Sequence, residues 1–246
     1  ENGWTDEDPT YRREYLGEWV VDETAQVYRY SSTRNDVLFV PDYDTATWIH
    51  TIGVDFGMTN ACAWTVIASH KHSRDIYAIE AFKRPNLLPD DAAAVTKTLV
   101  DRYRPYALVG DSGGLGKPYV VAYNRRFNQG CEMVAAEKTE KRAQIEILNG
   151  DLRSGRFKVL AHKCQPLIEE WTHLPWADES REREHPAYDN DVADSCTYSH
   201  RHHTAYLHTS PAQRVDPVHL SPDSEEYISR EARRMRDEQE RPWWDQ

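Results

Sequence analysis

Between residues 48 and 82 three apolar runs follow one another with almost no chain to spare: "WIHTIGVDFG", "ACAWTVIASH" and "DIYAIEAF". Each is short and rich in β-branched and aromatic residues, which predicts strands. Only "KHSR" separates the last two, too little for a crossover, so the three form an antiparallel meander. Downstream the pattern alternates between helix and strand. Residues 89–103 carry Ala92, Val95, Leu99 and Tyr103 at helical spacing, and "YALVGD" is a strand ending at Asp111. Residues 117–128 form a helix with Pro118 in its first turn, "CEMVAAE" is a fifth strand, and 139–153 form a helix striped by Ile145, Leu148 and Leu152. "RFKVLAH" belongs to an extra short hairpin, and helices cover 164–174 and about 188–202. A meander with alternating helices and strands after it describes an α/β fold: a mixed sheet of five or more strands flanked by helices.

This pattern sets the domain limits. Residues 49–208 form the folded domain. Residues 1–48 are too few for a domain and read as a linker or docking segment, in which Tyr11, Tyr15 and Trp19 recur on one face of a short helix. Residues 209–246 are a charged tail, expected to be mobile. Cys62, Cys131, Cys164 and Cys196 are dispersed without a C-x-x-C pair, which suits a reducing cytosol. No apolar run is long enough to span a membrane.

Two strands end in an aspartate, Asp55 and Asp111. The glycine-rich "ALVGDSGGLGKP" around the second is not a Walker loop: Asp111 stands where the first glycine belongs, and Pro118 replaces the hydroxyl residue. In an open α/β sheet the site lies off the carboxyl ends of the strands. A third cluster, "YDNDVADSCTYSH", holds Asp189, Asp191 and Asp194, and the last two share a helix face. A lone strand-end aspartate is more often a turn or a cap, but several carboxylates converging on one pocket require cations. All-oxygen ligands favour Mg²⁺ or Mn²⁺, and a pair of such ions is the usual clamp for displacement at phosphorus. The candidate metal ligands are Asp55, Asp111, Asp191 and Asp194.

"GVDFG" after a strand, "VGDSGG" after a later one, Lys138 after the next and "DNDVADSCTYSH" near the end together resemble the nuclease domain of the large terminase subunit of tailed bacteriophages. "DPTYRREYLGEWV" resembles the segment that joins its ATPase domain to the nuclease. The likeness runs from about 10 to 203. It implies an RNase H-like fold, shared with RuvC-type resolvases, and endonucleolytic cleavage of double-stranded DNA with two Mg²⁺ or Mn²⁺ ions during genome packaging. Asp55 would match the first-strand acid and bridge both ions; Asp111 and Asp194 would hold one each. Lys138 would steady a phosphate oxygen, which makes Asp55, Asp111, Asp194 and Lys138 the catalytic set. A histidine often stands three residues before the last acid, where this chain has Asp191. The implied partners are the portal protein, the small terminase subunit and an upstream ATPase domain, at the packaging motor of the viral prohead in the host bacterial cytoplasm.

The net charge of −11 argues against a generic nucleic-acid binder, yet residues 117–163 carry 10 Lys/Arg against 5 Asp/Glu. Lys138, Lys141, Arg142, Arg153, Arg156 and Lys158 are the candidate DNA contacts. His200, His202, His203 and His208 lack partners at zinc-finger spacing and read as surface histidines, and Cys196 as a small buried hydrophobe. Rival readings are a RuvC-type resolvase or RNase H-like nuclease, an actin–hexokinase-type ATPase fragment, and a DNA-binding module without catalysis.

Overall fold

The computed structural model describes residues 25–57, 61–113, 116–127, 130–178 and 180–209. The expected helix face of Tyr11, Tyr15 and Trp19 and the tail beyond 209 lie outside the described residues. The described chain forms seven strands: β1 (Asp36–Val37), β2 (Trp48–Asp55), β3 (Ala61–His70), β4 (Ile76–Pro85), β5 (Ala107–Gly110), β6 (Met133–Ala135) and β7 (Phe157–Leu160). The helices are α1 (Ser32–Asn35), α2 (Pro89–Tyr103), α3 (Lys117–Phe127), α4 (Lys141–Ser154), α5 (Gln165–His173) and α6 (Asp191–Thr209).

One sheet runs β1-β7-β4-β3-β2-β5-β6. The meander β2-β3-β4 is antiparallel, and β5 and β6 extend it in parallel beside β2. The central β3 is buried through its interior on both faces, which explains its unbroken apolar run. One face carries α2 and α3 over Ile52, Val54, Trp64 and Leu108. The other carries α4, α5 and α6 over Ala63, Ile67, Ala78 and Phe157. Local signals set the helix ends. In α2, Pro89 opens the first turn, Asp90 and Asp91 follow at the positive end of the helix dipole, and Arg104 closes it at φ 44°. Helix α4 stops at Gly155, whose φ of 72° suits a residue without Cβ.

Two expectations need correction. The segment 1–48 is not linker throughout. Val27 and Tyr28 are buried in the core, and Val27 N–H donates to the Leu174 carbonyl at 3.0 Å. Buried Asn35 donates through Nδ2 to the carbonyls of Leu152 and Phe157 at 2.9 and 2.8 Å, fastening β1 to the sheet edge. Two apolar side chains and one polar anchor hold this stretch, too few for an apolar period to reveal. Nor does "RFKVLAH" form a hairpin: β7 lies parallel to both β4 and β1. Helix α4 returns the chain to the start of β4, so β7 runs alongside it.

Candidate active site

Strands β2 and β5 are parallel neighbours, with Val54 opposite Gly110, and Asp111 N–H donates to the Val54 carbonyl at 3.0 Å. Asp55 and Asp111 therefore leave the sheet side by side. Helix α6 closes over them because Gly53 lets it approach: a Cβ there would lie 1.9 Å from the Ser195 carbonyl oxygen. Small polar groups fill that contact, with Thr65 Oγ1 2.7 Å from Ser195 Oγ. Asp191 and Asp194 stand in the first turn of α6. The helix start is fixed by Glu170, whose Oε2 accepts the Ala193 N–H at 2.8 Å.

The pocket is overloaded with negative charge. Burial, then the nearby Asp194, Asp111 and Asp191 carboxylates, push the Asp55 pKa up to about 8. Burial raises Asp194 to about 6 against the pull of Lys141. Lysines partly offset the excess. Lys138 Nζ lies 2.6 Å from Asp111 Oδ2 and 5.7 Å over the Tyr198 ring. The Gly113 N–H donates to Asp111 Oδ1 at 2.7 Å. Lys141 Nζ lies 2.6 Å from both Asp194 Oδ1 and Glu184 Oε2. Further out, Lys83 bridges Glu170 and Asp189 at 3.0 and 2.8 Å. Among the described residues no three acid, histidine or cysteine side chains stand together as an ion cage; Asp111 and Asp194 are each engaged by a lysine instead. Glu184 Oε1 is nevertheless buried without a hydrogen bond, and Asp194 Oδ1 has the ammonium's charge beside it but no aligned hydrogen bond. Surplus carboxylates with undersatisfied oxygens suit a hard divalent cation.

The fold brings Asp55, Asp111, Asp191, Asp194 and Lys138 to one end of the sheet, as the sequence suggests. Lys141, expected as a DNA contact, joins them as a partner of Asp194 and Glu184. Arg142 is exposed, donating to the Ser180 carbonyl at 3.2 Å. Arg153, Arg156 and Lys158 lie toward the opposite end of the sheet from the acids. Asp55 pairs across to Ala63 and Lys83, whereas Phe157 pairs with Ile76. The span from Ile76 to Lys83 is about 23 Å of strand at ~3.3 Å per residue. Arg156 instead sits 2.8 Å from Asp151, which also meets His200 Nε2 at 2.8 Å. Lys158 donates to the Arg34 carbonyl. The surface reading of the histidines fails for two of them. His200 and His203 are fully buried, His203 between Thr51 Oγ1 and Ser69 Oγ at 2.9 and 2.8 Å. Cys196 is buried as expected.

Sequence reasoning missed Lys83, Glu170, Glu184 and Tyr198. Tyr198 is four residues after Asp194 on one helix face and was legible as its neighbour. Lys83 and Glu170 reach the site through contacts distant in sequence, and Glu184, though ten residues before Asp194, through a stretch that pairs back on Trp176.

A family model described as "Terminase RNaseH-like domain" matches residues 52–203. No curated protein matches the chain. Among solved structures, the nuclease domain of the P22 large terminase is similar at 17% identity and TM-score 0.60, covering 73% of this chain and 92% of that one. The large terminase of the thermophilic bacteriophage D6E is similar at 16% identity and TM-score 0.55, and the chain spans 47% of its length. The nuclease domain of the SPP1 large terminase, solved with bound Mn, is similar at 16% identity and TM-score 0.52, over 69% of this chain and 97% of that one.

Proposed function

Because this chain belongs to the terminase RNase H-like domain family, we propose that it is a metal-dependent endonuclease that cuts double-stranded DNA, with little sequence preference, during viral genome packaging. The observation that carries this reading is the pairing of Asp55 with Asp111 at the ends of adjacent parallel strands under the acidic first turn of α6. Its partners are DNA, an upstream ATPase domain, the portal protein and the small terminase subunit, at the packaging motor in the host cytoplasm.

Asp55, Asp111, Asp191 and Asp194 would hold Mg²⁺ or Mn²⁺, in one or two ions. Bound there, such ions lower the pKa of water and offset charge on the leaving oxygen. The chain's own groups do the rest. Asp55 faces the other three acids and sets the position of the attacking group. Lys138, on Asp111 and half exposed at 47%, can turn its ammonium to a phosphate oxygen as negative charge builds there. Arg142, exposed beside the site, meets the DNA backbone without reading bases. The test is nicking of supercoiled plasmid. Degradation with Mn²⁺, protection by EDTA and loss in a folded Asp55→Asn protein are expected; wild-type nicking by Asp55→Asn would sink the assignment.

A further inference from the structure

Glu184 comes to the acids from a loop that closes on itself. Trp176 bridges Glu184, Ala177 N–H donates to the Arg183 carbonyl at 2.8 Å, and His185 N–H donates to the Pro175 carbonyl at 2.9 Å. The side chain is therefore aimed by backbone pairing. Asn190 Nδ2 donates to its Oε2 at 2.9 Å. Facing it is Asp194. The two side chains are 11% and 14% exposed. Each keeps a buried oxygen without an aligned hydrogen bond, Glu184 Oε1 and Asp194 Oδ1. The Lys141 ammonium sits 2.6 Å from both acids.

A pair built only for stability would match charges and satisfy every oxygen. Here one ammonium serves two carboxylates and leaves lone pairs unused. The cation is also a poor permanent fixture. Lys141 is the first residue of α4, on a flexible four-carbon stem that can withdraw without moving the helix.

We propose that Glu184 and Asp194 form a second cation-binding pair beside Asp55 and Asp111, which the Lys141 ammonium occupies until a divalent ion competes for it. This rests on the nuclease reading above. Glu184 is then a ligand of the incoming ion, and Lys141 is a positioning residue that keeps the acids together and sets the threshold for metal. The displaced ammonium swings toward the mouth of the site, where substrate phosphate arrives.

The experiment is Mn²⁺ binding, followed by EPR and thermal shift. Lys141→Met removes the competitor, and its Mn²⁺ affinity is expected to rise about tenfold. Glu184→Gln should lose about tenfold. Lys141→Arg, which keeps the charge, should bind no more tightly than wild type. Unchanged or weaker affinity in a folded Lys141→Met protein overturns the proposal, because a purely structural pair would leave it so. Should Lys141→Met fail to fold, lysine-selective NMR of the wild type decides: the Lys141 signal moves as Mg²⁺ is added, and a stationary signal at saturation overturns the idea. Asp55→Asn separates the two readings. If it binds Mn²⁺ like wild type, the nuclease site is wrong; if it alone loses binding while Lys141→Met and Glu184→Gln behave as wild type, only this inference falls.

Discussion

Two polar clusters lie along the same helix, and they are built on opposite terms. Asp194 and His200 are six residues apart on α6, about 9 Å of rise. Around His200, Asp151 is met by His200 and Arg156, and Gln144 Nε2 lies 3.2 Å from His200 Nδ1. Around Asp194, the acids Asp55, Asp111, Asp191 and Glu184 face Lys138 and Lys141 and leave carboxylate oxygens short of hydrogen bonds. In the first cluster the atom without a partner is Arg156 Nε, on the cation side. The first therefore holds the fold; the second stores repulsion that a ligand can relieve.

The pKa shifts carry the same contrast in opposite signs. Asp55, pushed from 3.8 to about 8, keeps a proton in the fold that the unfolded chain releases. Stability from this group is full below about pH 4 and is lost as pH rises toward 8. For Asp151, burial works to raise the pKa, but hydrogen bonds from His200 and Arg156 outweigh it and hold the carboxyl low. Burial lowers His200. Their stability is present above the unfolded values of 3.8 and 6.5 and is lost as pH falls through the folded ones.

The contrast breaks most sharply in catalysis. Asp55→Asn should reduce plasmid nicking by about 10³-fold, whereas Asp151→Asn, assayed below its melting temperature, should nick at a rate near wild type. Stability should show the reverse. Asp151→Asn removes the charge opposite Arg156 and sets an NH2 group against one of the two donors, and is expected to cost about 3 kcal/mol in urea unfolding. Metal-free Asp55→Asn should instead gain about 4 °C in Tm at pH 8. A pH series sharpens this: Asp55→Asn flattens the fall in Tm from pH 4 to 8, and Asp151→Asn flattens the loss on acidification. Equal slopes in both variants would erase the distinction. The smallest effect is on DNA. Arg142→Glu should weaken binding of a catalytically dead protein a few-fold for unrelated duplexes and reduce the salt slope by about one. Reversing Lys158, about 20 Å away by strand length, should leave binding unchanged.

The sequence by itself determined what depends on near neighbours. Apolar runs, Pro89 and Gly155 mark the elements, and the strand positions of Asp55 and Asp111 and the helical spacing of Asp191 and Asp194 mark the acids. Tertiary structure decided what those residues meet. Lys141 reads as a surface base until the 175–185 loop sets Glu184 before it. Arg156 reads as a phosphate contact until β7 takes its register at the start of β4. His200 and His203 read as surface residues until α6 packs against α4, at His200, and against the sheet, at His203. Each outcome turns on the registry of elements distant in sequence, where a shift of one residue turns a side chain from solvent to core. Composition and local periodicity carry no term for that registry, so the charged and polar partners of the site emerged only with the packed sheet.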